Sequence, residues 1–587
     1  MTARRWYHTP FLVLFLIFAL SCEEKIADNP LVEGPPKTFL WLFPDSSVGV
    51  GVSRQDIHWW GEDPDGVVRG FLFSFSIVET DVFEPPDPDT LRYTWVTSND
   101  STVFFPLDTL FRRYLVAVRA VDNTFPGLPE RSVVRLFPVP FWDRDDNGLL
   151  DPSDEELPDL PGAMDPKGAA LTFPIRNTPP EIGFLPNPTD GSALKQPDTT
   201  FTVATFAWKG SDFDGDNTLF AYRFALNDTS QDRWFTVPLR DTIVTLVVPR
   251  SRSDAAAGEV SADVYGGYFL ERRFLGEVAG LRLDALNVLY AQAQDVAGEF
   301  SQAIVMPSGD DHWYVRKPRG RMLIVSDYIS FDAGLAFETY RSSLAALPGG
   351  AYATVDHLDI GLGLTATEKS LGMPGRLVPP FIDPALVHTF LLFDEVLWYT
   401  DQFPSLVVAQ LSLFTYMQNG GRVLFSTSFQ TAVDPSGALR DFAPIDSISS
   451  VDLSPTRPPV PPAVAGDTRI PAGFVLVPDS TGPEEPYPRL AFNASPVIHS
   501  IFMRPVYRRS DARYIYRLES DTRVPARYIG APNVAVIDGA RTIIFFGMPL
   551  HLLDNTEAGN PLGLTAFFAR AFAEEFNPLQ KVDRRRF

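Results

Sequence analysis

Twelve residues from Asp143 to Asp154 place a dense set of hard oxygen donors in one short segment. Asp143, Asp145, Asn147, Asp151 and Asp154 fall at positions 1, 3, 5, 9 and 12, with Gly148 at 6, the carbonyl of Leu149 at 7 and Leu150 at 8. Calcium takes six to eight such oxygens, and a short loop wraps them around one ion only if it turns sharply at the glycine. Without a cation these side chains would repel one another. Asp154 is shorter than the glutamate that usually closes such a loop, so Glu155 is an alternative twelfth ligand. Pro138, Pro140, Pro152 and Pro158 exclude flanking helices. A solvated acidic linker is the competing reading.

Nucleophilic chemistry has thinner support. Ser426 and Ser428 close an apolar run, and His551 is the late histidine that could serve one of them as base. No G-x-S-x-G elbow surrounds either serine, and Cys22 is the only cysteine. These residues are therefore expected to satisfy strand ends. Among seven histidines no zinc-type spacing occurs, and no glycine-rich phosphate loop follows a strand, so neither a nucleotide nor a redox cofactor is expected. Asp327, Tyr328 and Asp401 remain as ligand-binding candidates, because they would gather at the carboxyl ends of neighbouring strands.

Those ends belong to a segment beginning near Pro318. Met322–Ser326, Tyr352–Val355, Glu395–Thr400 and Arg422–Ser426 are continuous apolar runs, as in strands buried on both faces of a parallel sheet. Pro404 to Asn419 predicts a helix with an inward face of Leu406, Val407, Leu411, Leu413, Phe414 and Met417, stopped by Gly420-Gly421. Strand, helix and strand in this order make a βαβ unit. The segment Asp394–Asp401, the helix, and Gly420 to Ser426 resemble the class I glutamine amidotransferase-like fold, including the trehalose-utilisation type. The likeness resumes at Arg541–Gly547 and at a closing helix, Leu564–Phe576. Catalytic members of that fold carry a cysteine just after the strand that is Arg422–Phe425 here, with a later His-x-Glu. This chain has Ser426-Thr427-Ser428 and His551-Leu-Leu-Asp554 instead. The resemblance thus implies a degenerate α/β domain with an insertion at about 430–540.

Upstream, the chain repeats itself. Trp59-Trp60-Gly61-Glu62-Asp63-Pro64-Asp65-Gly66 is echoed 149 residues later by Trp208-Lys209-Gly210-Ser211-Asp212-Phe213-Asp214-Gly215. An alternating strand follows each, Phe71–Ile77 and Phe220–Leu226, and a second comes later, Tyr114–Asp122 and Val288–Asp295. Pro35-Pro36 and Pro179-Pro180 open the two copies. These copies resemble fibronectin type III and related immunoglobulin-like modules, which implies a tryptophan core anchor in each. The Asp-x-Asp-Gly segments are read first as turns in which Asp caps backbone amides, and second as calcium ligands.

The first residues carry an address. Arg4 and Arg5 precede an apolar run, Phe11 to Leu20, too short to span a membrane, and Ala19-Leu20-Ser21 leads into Cys22. This resembles the lipobox of bacterial lipoproteins, which implies lipidation at Cys22 and attachment to a membrane through the N-terminal lipid. Glu23 and Glu24 then resemble the signal of lipoproteins sent to the outer membrane.

Composition agrees with an exported, multidomain chain. A length of 587 residues implies about three or four domains. The formal charge of −23, with no dense basic patch, excludes nucleic acid as a partner. The 53 prolines, nearly twice the usual share, point to short strands joined by stiff turns.

The expected organisation is a signal peptide (1–21) and a tether (22–34), then an immunoglobulin-like domain (35–176) with an inserted acidic loop (141–172). A second such domain (177–317) and a doubly wound, flavodoxin-like or amidotransferase-like α/β domain (318–587) follow. The fold class is two all-β sandwiches followed by α/β. The expected function is a non-catalytic binding or scaffolding module of the cell envelope, periplasmic or surface-facing, with envelope proteins or glycans as partners and calcium as its one cofactor. The alternative is a hydrolase of envelope polymers or carbohydrates.

Overall fold

The computed structural model describes residues 34–42, 54–78, 87–104, 112–157, 162–175, 177–187, 191–401, 403–429, 437–448, 469–471, 475–479, 487–491, 500–502, 504–518, 532–553 and 563–576. Cys22, the signal segment and nearly all of the tether lie outside them. Strands far outnumber helices among the described residues, and no helix among them is long and apolar enough to cross a membrane.

The chain divides into two compact units. The first holds residues 1–178, 212–218 and 296–299. Its strands are β1 (Lys37–Leu42), β2 (Arg54–Glu62), β3 (Val68–Val78), β4 (Arg92–Val96), β5 (Asp100–Phe104), β6 (Arg112–Asp122), β7 (Val133–Arg135), β8 (Phe141–Asp143), β9 (Glu155–Glu156) and β10 (Ala169–Ile175). They form a sheet of order β1-β2-β5 and another of order β10-β6-β3-β4-β7-β8-β9. Strand β6 is apolar on both faces between Tyr114 and Val118 because each face packs into a core. Tyr114, Val116, Val118 and Ala120 join a core with Trp59, while Leu115, Ala117 and Val121 join another with Tyr93 and Trp95.

The second unit begins at Pro179. Its sandwich portion has β11 (Glu181–Phe184), β12 (Thr199–Thr200), β13 (Val203–Ser211), β14 (Leu219–Leu226), β15 (Phe235–Pro238), β16 (Ile243–Val247), β17 (Glu259–Gly266) and β18 (Arg273–Arg282). It closes with β19 (Ala285–Leu286), β20 (Leu289–Asp295), β21 (Ile304–Met306) and β22 (Tyr314–Val315). Antiparallel sheets β11-β13-β16-β17-β18 and β15-β14-β20-β21 enclose Phe206, Trp208, Phe224, Leu246 and Val264.

The repeat is visible in the packing. Trp59 stacks on Phe73 at 5.1 Å, and Trp208 meets Tyr222, the residue equivalent to Phe73, at 6.1 Å. Both tryptophans are buried. Gly61 and Gly210 also match. A Cβ on Gly61 would sit 2.8 Å from Ala120, and one on Gly210 would sit 2.9 Å from Tyr222, so only glycine lets the neighbouring layer close.

The rest of the second unit is built on one nine-stranded sheet. Its strands are β23 (Met322–Asp327), β24 (Asp356–Asp359), β25 (Glu395–Thr400), β26 (Arg422–Ser426), β27 (Val475–Pro478), β28 (Leu490–Ala491), β29 (Arg513–Leu518), β30 (Asn533–Ile537) and β31 (Ile543–Phe546). The order is β24-β23-β25-β26-β31-β30-β29-β27-β28, parallel from β24 to β31 and antiparallel beyond. Helices α1 (Ala333–Ala345) and α4 (Leu564–Arg570) share a core with Met322, Ile324 and Leu424, whereas α3 (Leu406–Gln418) shares one with Leu323, Val325 and Phe425. A short helix, α2 (Ala366–Ser370), follows β24 and opens with a capping box of Thr365 and Glu368.

Two expectations fail locally. The strand predicted over Tyr352–Val355 runs instead over Asp356–Asp359. Tyr352 is buried against Phe572, with ring centroids 5.5 Å apart, so its apolar surface serves the core and not the ladder. In α3 the inward face is Ala409, Ser412, Leu413 and Tyr416, while Val407, Leu411 and Phe414 are 61%, 47% and 42% exposed. That helix is apolar on every side, so periodicity could not fix its orientation.

Candidate functional site

Strands β23 and β25 bring Asp327 and Asp401 together at their carboxyl ends, around a residue that the sequence reading did not single out. Lys369, from α2, places Nζ 3.1 Å from Asp327 Oδ1 and 2.9 Å from Asp401 Oδ1, and it also donates to the Asp327 carbonyl. The remaining carboxylate oxygens are also engaged. Ser405 donates its N–H to Asp327 Oδ2 at 2.7 Å and its hydroxyl to Oδ1 at 2.8 Å. Asp401 accepts from the backbone of Ile329 at 3.1 Å and of Phe403 at 2.9 Å. Burial pushes the Asp327 carboxyl up, and Lys369 and Ser405 pull it back. Tyr328 points elsewhere, its hydroxyl donating to Asp332 at 2.9 Å. Chemically this is a closed ion-paired clamp joining two strand ends to α2 and to the start of α3. The capping box before Lys369 was legible in the sequence. The burial of the lysine was not.

Ser426 ends β26, with its hydroxyl committed on both sides. It donates to the Met548 carbonyl at 2.8 Å and accepts from the Leu550 N–H at 3.0 Å. The His551 ring lies between Tyr340, whose hydroxyl is 3.4 Å from Nδ1, and Asp332, whose Oδ2 is 3.6 Å from Nε2. Burial pushes the imidazole down, opposed by Asp332. Among the described hydrogen bonds none joins His551 to Ser426 or Ser428. Ser428 is buried, next to Thr427, which accepts from the Thr400 hydroxyl at 2.8 Å. A base with an orienting acid is present, and the hydroxyl recorded at its ring is that of Tyr340.

Within the first unit, three of the acids of the acidic loop lie together. Asp143, Asp145 and Asp154 bring one carboxylate oxygen each to within 4.8 Å of the others. Gly148, at the sixth position, has φ +79°, and its N–H donates to Asp143 Oδ2 at 3.0 Å. The Asn147 side-chain nitrogen donates to Asp145 at 2.9 Å and to Asp151 at 3.0 Å, so it bridges the two carboxylates that a cation would bridge. Rotating that amide by half a turn would present its oxygen instead. Leu149 has its N–H on Asn147 Oδ1 at 2.7 Å. One feature opposes an ion: Arg135 Nε already donates to Asp143 Oδ2 at 3.0 Å.

The Asp-x-Asp-Gly segments are turns. Asp63 Oδ1 accepts from the N–H of Asp65 at 3.3 Å and Gly66 at 3.1 Å, and Asp212 Oδ1 accepts from Asp214 at 2.9 Å. The second aspartate fastens the approach to each Pro-Pro pair. Gly34 N–H donates to Asp65 Oδ2 at 2.8 Å, and Thr178 N–H donates to Asp214 Oδ2 at 2.8 Å. Sequence reasoning missed this latch, although the order X-Pro-Pro and Asp-x-Asp-Gly is present in both copies.

No protein-family model matches the chain, and no curated protein does. Solved structures similar to it include a ThuA-like protein from Bacteroides uniformis, at 12% identity over 46% of this chain and 96% of that one, with a TM-score of 0.23. The fibronectin(III)-like modules of Clostridium thermocellum CbhA are 9% identical over 48% of this chain and 95% of theirs, at a TM-score of 0.13. Bacteroides ovatus SGBP-B, a protein of a mixed-linkage glucan utilisation locus solved with a heptasaccharide, is 10% identical over 51% of this chain and 74% of its own, at 0.11.

Proposed function

We propose that this chain is a lipid-anchored cell-envelope protein, tethered through Cys22 to a membrane, the outer membrane in a two-membrane cell, that binds or scaffolds without catalysis. In this reading two fibronectin-like modules carry a degenerate amidotransferase-like α/β domain whose partners are envelope proteins or glycans. The observation that carries it is the state of the strand ends. Asp327 and Asp401 are consumed by Lys369, and the Ser426 hydroxyl is held between Met548 and Leu550. Calcium belongs to the proposal as a structural ion, held by Asp143, Asp145, Asn147, the Leu149 carbonyl, Asp151 and Asp154.

Two experiments test it. Cys22→Ala should move the protein from the membrane to the soluble fraction, since a lipid would be its attachment. Unchanged detergent partitioning would defeat the anchoring claim. For the binding claim, the purified mature chain should turn over no member of a panel of ester, glycoside and peptide substrates. The competing reading, a hydrolase of envelope polymers or carbohydrates, has the His551–Asp332 pair on its side and requires turnover that Ser426→Ala or Ser428→Ala removes.

A further inference from the structure

A cavity of about 560 Å³ opens within the second unit, between the strand β12, the segment leading out of β22 and the edge strand β24. That volume is in the range of small-molecule sites, about 300–1,000 Å³. Its lining combines opposite charges, Arg316 with Asp359 and Asp198, that form no ion pair among the described residues. Arg316 donates to the His357 carbonyl and lies 4.0 Å from the centre of the Phe201 ring, and among the described residues no carboxylate is within ion-pair distance of it. Asp359, at the end of β24, accepts from the N–H of Gly361 at 3.0 Å, and no described lysine or arginine lies within ion-pair distance of it. Asp198 is a second acid in the lining. Burial lowers Arg316, opposed by the charge of Asp356, and raises Asp359, opposed by backbone N–H groups and by Lys369.

The remaining wall sets Leu358, Leu377 and Leu386 beside His312 and Thr389. A simple anion suits this set poorly, because two acids face one guanidinium. A pyranose also suits it poorly, since the Phe201 ring that would stack a sugar already has Arg316 over it and Phe393 edge-on at 5.2 Å. A molecule carrying both charges and an apolar body gives Arg316 and Asp359 a partner each and its body the leucines. We infer that the cavity binds a small zwitterion, an amino acid or short peptide with an apolar side chain, its carboxylate on Arg316 and its ammonium on Asp359. This rests on reading the chain as a binding protein and gives it a ligand class.

Equilibrium dialysis of the mature chain against L-leucine, L-phenylalanine and the dipeptide alanyl-leucine, each beside its N-acetyl and C-terminal amide forms, tests the assignment. At least one free zwitterion should bind saturably with one site per chain, and blocking either end should weaken it tenfold or more. Arg316→Gln should abolish the preference for the free carboxylate, and Asp359→Asn the preference for the free amine. Leu362→Trp fills the lining without removing a charge and should abolish binding in a folded protein. Absence of saturable binding, equal binding of blocked forms, or wild-type affinity in Leu362→Trp would overturn the assignment. A chain that fails this dialysis yet still binds a glycan or an envelope protein would lose the cavity ligand and keep its broader function.

Discussion

Lys369 donates to Asp401 across 2.9 Å with none of the lysine side chain exposed, and the same ammonium holds Asp327. Removing one partner of a buried ion pair leaves an uncompensated charge, so Lys369→Met should cost about 3–5 kcal/mol near neutral pH. The sign of its pH dependence follows from the carboxylates. Burial raises Asp327, and without Lys369 less opposes that rise, so the folded variant favours the protonated acid. Its deficit is therefore greatest at high pH and shrinks as pH falls through the raised folded value. Urea unfolding at neutral and acidic pH measures this. A pH-independent loss of about 1 kcal/mol or less, the size of an exposed pair, would contradict the clamp.

The two latches give unequal predictions. Asp214 is fully buried and holds Thr178, so Asp214→Ala should cost about 1–3 kcal/mol. Asp65 is exposed, and Asp65→Ala should cost less. As turns, neither contributes to a calcium response, so each variant should show the same shift between calcium and chelator as the unaltered chain. A calcium-dependent shift that either variant removes would make the turns metal sites.

His388 is buried between Tyr265 and Phe269, and burial with nearby Arg272 pushes it down to about 3. An unfolded histidine titrates near about 6.5. Because the folded value is depressed, this contribution is complete above about pH 6.5 and drains away as pH falls toward the folded value. His357, pushed down to about 4 by burial, adds in the same direction. His388→Phe should flatten the slope of stability against pH on the acid side, and an unchanged slope would show that His388 titrates normally.

For the acidic loop, free calcium at about 100 times the dissociation constant should stabilise the first unit by about 2.7 kcal/mol. Asp145→Ala should remove that response. Arg135→Gln, which frees Asp143 from its competing guanidinium, should enlarge it. A melting curve indifferent to calcium in the unaltered chain would leave an acidic linker.

What the sequence revealed was periodic or repeated. The tryptophan pair, the alternating strands, β23, β25 and β26, and the sharp glycine of the acidic loop are all local patterns that one spacing rule reads. What it concealed depends on distant partners. Lys369 meets Asp327 and Asp401 only because β23, α2 and β25 converge, and Tyr340 reaches His551 from α1 across 211 residues. Tyr352 looked like part of a strand because burial in a core and burial in a sheet demand the same residue type. The cavity was invisible because Phe201, Arg316 and Asp359 come from three separate elements.

The central claim is that the strand ends are locked and do no chemistry, and covalent labelling of the mature chain with a fluorophosphonate serine probe tests it most directly. Ser426 shares its hydroxyl with Met548 and Leu550, and His551 faces Tyr340 and Asp332, so no labelling should occur at Ser426 or Ser428. Stoichiometric labelling at either serine, lost in His551→Ala, would contradict the account and make this protein a hydrolase.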